Sequence, residues 1–419
     1  MSSKFVITWR GQTSLFVTEG IRSFAMGYFA IIFVVLAQTR GLNALGLGTV
    51  TGISVAIGII ITHYLTLAGS RYGARAAFVI AGGLMAATGL LMLLARSVTF
   101  LYIGALLGFL PPNGGMFIGA LAEGVLAQTH PDQRTKVFVK SGLTVTVMGA
   151  LGALFASFPA SIGLTEPDGL RLLTWVFVAL GIAISVVGLT VIDSGPITGS
   201  TKSSSEVEDS IDLESSGKAA GSHPDWEVRS TRAINRLALL FVLDSAGSGV
   251  VASTLMIYWL RYRFHFSVVS LSLLFFGMEI LSAISFPLAE RISRRIGLLN
   301  TAVFTHIPSS LFLVAVPFAP AAPVASLLLL LRSALVEMDV PTRKSYIASI
   351  VRPEERREAA ARTSMGRQAG RAIGPAIGGF VLSNVSATAP FLIAGVLKVF
   401  YDLLLWRSFR KVRSIEESV

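Results

Sequence analysis

Apolar positions run along this chain in stretches of roughly twenty residues, the length that carries a helix across a bilayer, separated by short polar turns. The short apolar/polar alternation of a membrane β-barrel is missing, so helices must satisfy the backbone in lipid. Twelve spans are predicted. The first half gives roughly 14–37, 44–68, 76–95, 98–127, 137–158 and 170–192, and the second roughly 233–260, 268–289, 298–318, 322–350, 359–383 and 387–409. Between the halves, Asp193 to Arg232 is rich in Ser, Gly and acids and cannot bury enough apolar surface to fold alone, so it reads as a flexible linker. The chain is thereby an all-α integral membrane protein: a six-helix bundle over 1–192, a linker over 193–232 and a second six-helix bundle over 233–419.

Polar positions inside the apolar runs carry the chemical information. The tenth span contains Arg332, Glu337 and Asp339, and each charge at a bilayer centre costs at least about 2.5–3.5 kcal/mol, so each needs a partner, water or a task. At helical spacing Arg332, Asp339 and Arg343 share one face, while Glu337 stands about 140° round from Arg332. That geometry assigns Arg332 and Asp339 to a central cavity and Glu337 to a neighbouring helix, against an Arg of the eleventh span. Pro341 displaces the hydrogen bond to the carbonyl of Glu337 and bends the helix there; Pro111 and Pro112 do the same in the fourth span.

Composition sharpens this picture. Hydrophobic residues are 53% and charged residues 14%, too apolar for 419 residues to hide in one soluble core. The net charge of +11 comes mainly from short loops, which fits positive-inside topology better than nucleic-acid binding. Arg71 and Arg75 follow the second span, Arg134, Lys136 and Lys140 the fourth, and Arg291, Arg294 and Arg295 the eighth, so the termini and linker are expected in the cytoplasm of a cell (inner) membrane. The first run ends Val35-Leu36-Ala37, loosely like a leader cleavage site, but carries Glu19 and Arg22, and the internal repeat requires it. Cysteine is absent, which excludes disulfides and thiolate metal sites, and no metal site is expected. No Walker loop, G-x-S-x-G or H-E-x-x-H occurs, so an enzyme is not expected. The expected partners are a small-molecule substrate and the lipid bilayer around a monomer, with no cofactor and an ion gradient, the proton gradient first, as energy source.

The halves resemble each other in register. Phe16-Val17-Thr18-Glu19-Gly20 matches Phe241-Val242-Leu243-Asp244-Ser245, Ser70-Arg71-Tyr72-Gly73 matches Arg294-Arg295-Ile296-Gly297, and Pro131-Asp132-Gln133-Arg134 matches Pro353-Glu354-Glu355-Arg356. The nearly constant offset points to two parallel six-helix repeats, with a site at their interface near the midplane. The twelve-span layout, the loop A-G-S-R-Y-G-A-R after the second span, P-E-E-R-R after the tenth and G-R-A-I-G-P-A-I-G-G over Gly370 to Gly379 resemble the major facilitator superfamily. V-E-M-D-V-P-T-R followed by P-E-E-R resembles its bacterial and archaeal efflux-permease branch, drug:proton antiporter-like. The chain also departs from the family: Ser70 stands where its loop signature has Asp, the G-x-x-x-G-P-x-x-G-G antiporter signature lies in span 11 instead of span 5, and the span 4 Arg is absent.

The resemblance places spans 1, 4, 7 and 10 around the cavity. Glu19 and Arg22 are helical neighbours and either neutralise each other or serve a proton and a substrate. Asp244, Val251 and Tyr258 form one stripe at heptad spacing on span 7, and pseudo-symmetry sets Glu19 and Asp244 facing each other across the cavity. The candidate proton-coupling acids are Asp244, Glu19, Asp339 and Glu279; the candidate substrate contacts are Arg22, Arg332, Tyr258, Ser248 and Met26. Gating candidates are Arg71, Arg75, Arg294, Arg295, Pro341, Pro111, Pro112, Arg367, Arg371, Gly374 and Pro375. Glu337, Glu123, Lys398 and Asp402 read as a structural charge network in which Lys398 and Asp402, four apart, pair with each other. His63 and His306 read as ordinary interior histidines. The expected function is alternating-access secondary transport, with proton-coupled export of a small amphipathic or organic-ion solute. The alternatives are a facilitator or proton symporter for a small organic anion, and a non-transporting sensor or scaffold on the same fold.

Overall fold

The computed structural model describes residues 9–94, 97–111, 114–126, 131–190, 225–340, 342–343, 346 and 356–410. The regular structure of these residues is helical throughout. The first half holds α1 (Trp9–Thr39), α2 (Ala44–Tyr72), α3 (Ala74–Leu94), α4 (Val98–Ala105), α5 (Met116–Leu126), α6 (Pro131–Phe155), the short α7 (Phe158–Ser161) and α8 (Glu166–Thr190). The second holds α9 (Asp225–Val250), α10 (Ser253–Phe264), α11 (Val268–Ile296), α12 (Leu298–Ala315), α13 (Ala322–Val336), α14 (Arg356–Asn384) and α15 (Ala389–Phe409). Most of the expected linker, together with Pro112 and Pro341, lies outside the described residues, and so does the side chain of Glu123.

Eight described segments are long and apolar enough to cross a membrane: 13–39, 44–69, 74–94, 166–190, 234–264, 268–296, 298–318 and 389–409. The other four expected spans do not qualify, for physical reasons. The fourth is interrupted, the fifth and tenth retain only the short apolar helices 140–155 and 322–336, and the eleventh carries Arg362, Arg367 and Arg371 along α14. Where a bend was expected in the fourth span there is a full break. Gly108 and Gly115 take left-handed φ of 68° and 66° on either side of Pro111, and Ser54 of α2 accepts the freed Leu110 N–H at 3.0 Å. The tenth span breaks at Glu337 and Met338; a proline four residues beyond Glu337 has no N–H to give that carbonyl, which instead accepts the Val340 N–H at 3.3 Å. A third break, at Val251 and Ala252 between α9 and α10, has no proline to announce it.

Within the halves α3 packs against α8 and α1 against α6 in the first, α9 against α14 and α12 against α15 in the second, while the larger buried apolar cluster runs on from the first half into α10, α11 and α15. Aromatic packing centres the first core, where Phe29 stacks on Phe177 with ring centroids 3.9 Å apart. The halves meet along α2 with α14 and α6 with α11. This seam is closed at the face where α1 ends and α2 begins, called the distal face below. There Gly48 lies on the Pro375 carbonyl and Gly379, and a Cβ at Gly52 would stand 2.8 Å from the Ala372 carbonyl oxygen. Only glycine allows backbones to approach so closely. Leu45 N–H donates to Ser383 Oγ at 2.8 Å, and Arg261 bridges to Glu166 at 3.2 Å across the same face.

Candidate functional site

A cavity of about 410 Å³ opens beside the breaks in the seventh and tenth spans. Around it stand Ser248, Ser253, Glu279, Ser282, Arg332, Glu337 and Arg371, with Met256, Phe275 and Pro375 as apolar walls. Each polar residue is delivered by an identifiable element. The α9–α10 break turns Ser248 and Ser253 toward the space, α11 contributes Glu279 and Ser282, and α13 ends just where Arg332 and Glu337 must face inward. Arg371 comes from α14, whose glycines let it lie close on α9: Gly374 meets Gly249 with a built Cβ only 2.5 Å from its Cα. Arg332 Nε is buried without a hydrogen-bond partner. No ion pair among the described residues ties Arg332, Arg371, Glu279 or Glu337 to an opposite charge, although the four line one space. Two cations and two anions that feel one another across the space without closing into ion pairs can receive a charged solute.

A second group of intramembrane charges forms a buried cluster in the second half. Lys398 Nζ donates to Asp244 Oδ1 at 2.9 Å, Arg343 bridges to Asp339 at 2.8 Å and reaches Asp244 at 3.5 Å, and His306 Nδ1 lies 2.9 Å from Asp402. The Tyr401 hydroxyl stands 3.5 Å from Arg343, whose Cζ sits 4.9 Å from the Phe241 ring centroid. Asp244, Asp402, Lys398 and His306 are each no more than 7% exposed. Such a cluster is tolerable in an apolar interior only because nearly every charge has a partner.

Several sequence expectations change here. Arg332 and Asp339 do not share a face: the break at Glu337 and Met338 resets the helical phase, so Glu337 lines the cavity with Arg332, while Asp339 turns into the cluster. Lys398 and Asp402 are not each other's partners; Lys398 goes to Asp244 and Asp402 to His306. The α9–α10 break likewise separates Asp244 from Tyr258, which lines a different, distal cavity of about 450 Å³ with Asn43, Ser383 and Asn384. Glu19 and Asp244 do not face each other as repeat mates; Glu19 takes a hydrogen bond from Ser141 of α6, and Asp244 is held inside its own half. His306, read as an ordinary interior residue, is part of the charge cluster. Its signal in the sequence was slight, a lone histidine whose partner lies 96 residues away.

The remaining candidates distribute as follows. Arg22 and Met26 lie in the first half: a Cβ on Gly119 would stand 3.7 Å from Arg22 Nη2, and one on Gly114 would stand 2.7 Å from Met26 Sδ. Arg71, Arg75, Arg294 and Arg295 are exposed at helix ends on the face opposite the distal one, Arg71 over the Tyr72 ring and Arg294 paired with Glu290 at 2.7 Å. Arg367 stacks on Phe241, and Pro111 is buried within the α4–α5 break.

Residues 237–418 match the family described as Major Facilitator Superfamily. The structure is similar to that of the nucleoside transporter NupG, with a TM-score of 0.68 at 13% identity over 96% of this chain and 100% of that one. It is similar also to a D-xylose-proton symporter, with a TM-score of 0.69 at 15% identity over 94% and 97% of the two chains. This is the major facilitator fold. In sequence, the chain is 24% identical to the uncharacterized membrane protein YJR124C of Saccharomyces cerevisiae over 96% of its own length and 94% of that protein's. The seam of α2 with α14 and α6 with α11 is where the two halves meet, and the residues that line the cavity with its four charges all come from the second half.

Proposed function

We propose that this chain is a secondary active transporter of the major facilitator superfamily, working by alternating access across a cell membrane with its termini in the cytoplasm. It binds a small organic ion in the second-half cavity and exports it against proton entry. One observation carries the reading: Arg332, Arg371, Glu279 and Glu337 converge on about 410 Å³ without pairing to one another. A solute with a carboxylate or phosphate for the arginines, and a hydrogen-bonding or cationic group for the acids and serines, satisfies that surface. The distal seam supplies the gate. Its glycine contacts and the Arg261–Glu166 bridge hold one side shut and are of a kind that separates without unfolding either bundle.

A second reading, a facilitator or proton symporter for a small organic anion, is favoured by the unsatisfied Arg332 Nε, which asks for an acceptor. Reconstitution in liposomes with an internal pH dye separates the two. Organic anions, cations and zwitterions are offered with and without an imposed pH gradient. Export coupled to proton entry gives solute-dependent alkalinisation on the side from which protons leave. Transport that ignores the gradient with no proton movement removes the antiport reading and leaves the facilitator, while proton and solute moving the same way establish symport.

A further inference from the structure

The two acids of the solute cavity stand in unlike surroundings. Glu337 feels both Arg332 and Arg371, although neither closes an ion pair with it. Arg332 also feels Asp244, and its Nε is buried with no acceptor. That end of the cavity offers two guanidinium forks to an anionic group. Glu279 differs, because the charged side chain that acts on it is Glu337, a like charge, and its own carboxylate is exposed to the open cavity. It stands on α11, whereas the arginines come from α13 and α14. The space is therefore dipolar.

Helix α11 turns a single stripe toward this space. Phe275, Met278, Glu279 and Ser282 all line it, at the i, i+3, i+4 and i+7 spacing of one helical face. The stripe is fixed against α13: the Ser282 hydroxyl donates to the Ser333 carbonyl at 3.4 Å, and a Cβ on Gly277 would stand 3.0 Å from Leu330 Cδ2. An aromatic ring thus lies one helical turn from the carboxylate, and the thioethers of Met278 and Met256 stand in the same wall. A primary ammonium needs an oxygen for each of its three N–H donors. An alkylated ammonium needs a counter-charge, a ring whose quadrupole attracts it and polarizable groups to pack its methyls, which this stripe supplies. A solute with one charge suits only one end, since a plain anion is repelled by Glu279 and a plain cation by the arginines.

We propose that the solute of this cavity is a small free zwitterion, with an alkylated ammonium seated on Glu279 and Phe275 and a carboxylate or phosphate held by Arg332 and Arg371; the inference rests on the transporter reading above. The same two groups also occur in choline lipid headgroups, and the test separates the two sources.

The full chain is placed in nanodiscs of phosphatidylglycerol, which has no ammonium group, and binding is followed by titration calorimetry. The probes are phosphocholine and trimethylammonium carboxylates with one to four methylenes between the charges. The best of them should bind at least about tenfold more tightly than tetramethylammonium, than the alkyl carboxylate of the same length and than the amino carboxylate without the methyls. No binding by any probe, or equal binding by a singly charged or unmethylated analogue, overturns the proposal. Glu279→Gln should weaken binding of the best probe at least about tenfold and Glu279→Asp, which keeps the charge, less than about threefold. Equal effects of the two substitutions take Glu279 out of the cation seat. Should Glu279→Gln not fold, Glu279→Ser takes its place with the same loss expected. Phe275→Leu should cut the preference for the methylated over the unmethylated ammonium at least about threefold, and an unchanged preference refutes the role of the ring. Replacing a third of the lipid by phosphatidylcholine should leave binding as it was; a loss of tenfold or more assigns the site to a lipid headgroup and overturns the small-solute form. Binding in nanodiscs with no movement of the same probe in liposomes would defeat the transporter reading alone. Liposomes that move a plain anion or cation while no zwitterion binds would defeat this proposal alone.

Discussion

Lys398 decides which pairs make up the buried cluster. Lys398→Met removes the ammonium 2.9 Å from Asp244 Oδ1 and leaves the acid with Arg343 at 3.5 Å and His306 at 3.9 Å. Breaking a buried ion pair by deleting one partner costs about 3–5 kcal/mol. The two longer contacts recover part of it, so a loss of about 2–3 kcal/mol is expected. Asp244→Asn should cost a similar amount, because it strands Lys398 in a site where that side chain is 3% exposed. The double variant strands neither charge and should lose only about 1–2 kcal/mol, which makes the coupling energy about 3–4 kcal/mol. Reversible unfolding in mixed detergent and dodecyl sulfate micelles, read by tryptophan fluorescence, measures all four chains. The same cycle between Lys398 and Asp402 should give less than about 1 kcal/mol, since Asp402 is held by His306. A larger coupling to Asp402 than to Asp244, or a double variant as unstable as the sum of the singles, would refute this account of the cluster.

Gly48→Leu places a side chain on the Pro375 carbonyl and 3.0 Å or so from Gly379, so the distal seam should no longer close. A Leu45→Cys/Ser383→Cys pair, whose backbone and side chain now meet at 2.8 Å, should cross-link readily under oxidant and at least about tenfold less with Gly48→Leu; equal cross-linking would show that the seam tolerates the side chain. Arg332→Gln removes a cation that closes no ion pair, so stability should change by less than about 1 kcal/mol while binding of an anionic solute falls at least about tenfold. Isothermal calorimetry with whichever solute the liposome screen identifies checks this, and unchanged affinity would take Arg332 out of the site.

Much of the architecture was legible because bilayer length and helical backbone satisfaction leave so few options. The helical class, the membrane-length runs and the disruption near Pro341 and Pro111 all follow from local pattern, as does the choice of span 10 as a place where charge demands an explanation. The pairing of the charges was not legible. A two-residue break resets every residue beyond it to a new face, so the spacing that joined Arg332 to Asp339 and Asp244 to Tyr258 lost its meaning at Glu337 and at Val251. Nor does spacing reveal partners on other helices. Lys398 and Asp402 are ideal neighbours four residues apart, yet stronger partners stand across the bundle, 154 and 96 residues away in sequence.

By itself, then, the sequence determined that the protein lives in a bilayer, that it is helical, and which side chains would have to be accounted for inside it. Those conclusions depend on composition and period, which every residue reports locally. Only the tertiary structure decided which charges neutralise one another and which remain open to a solute, because in a low-dielectric interior that depends on distances of a few ångströms between helices far apart in the chain. It moved Glu337 into the cavity, withdrew Asp339 and Asp244 from it, and brought His306, the residue with the weakest signal in the sequence, beside Asp402.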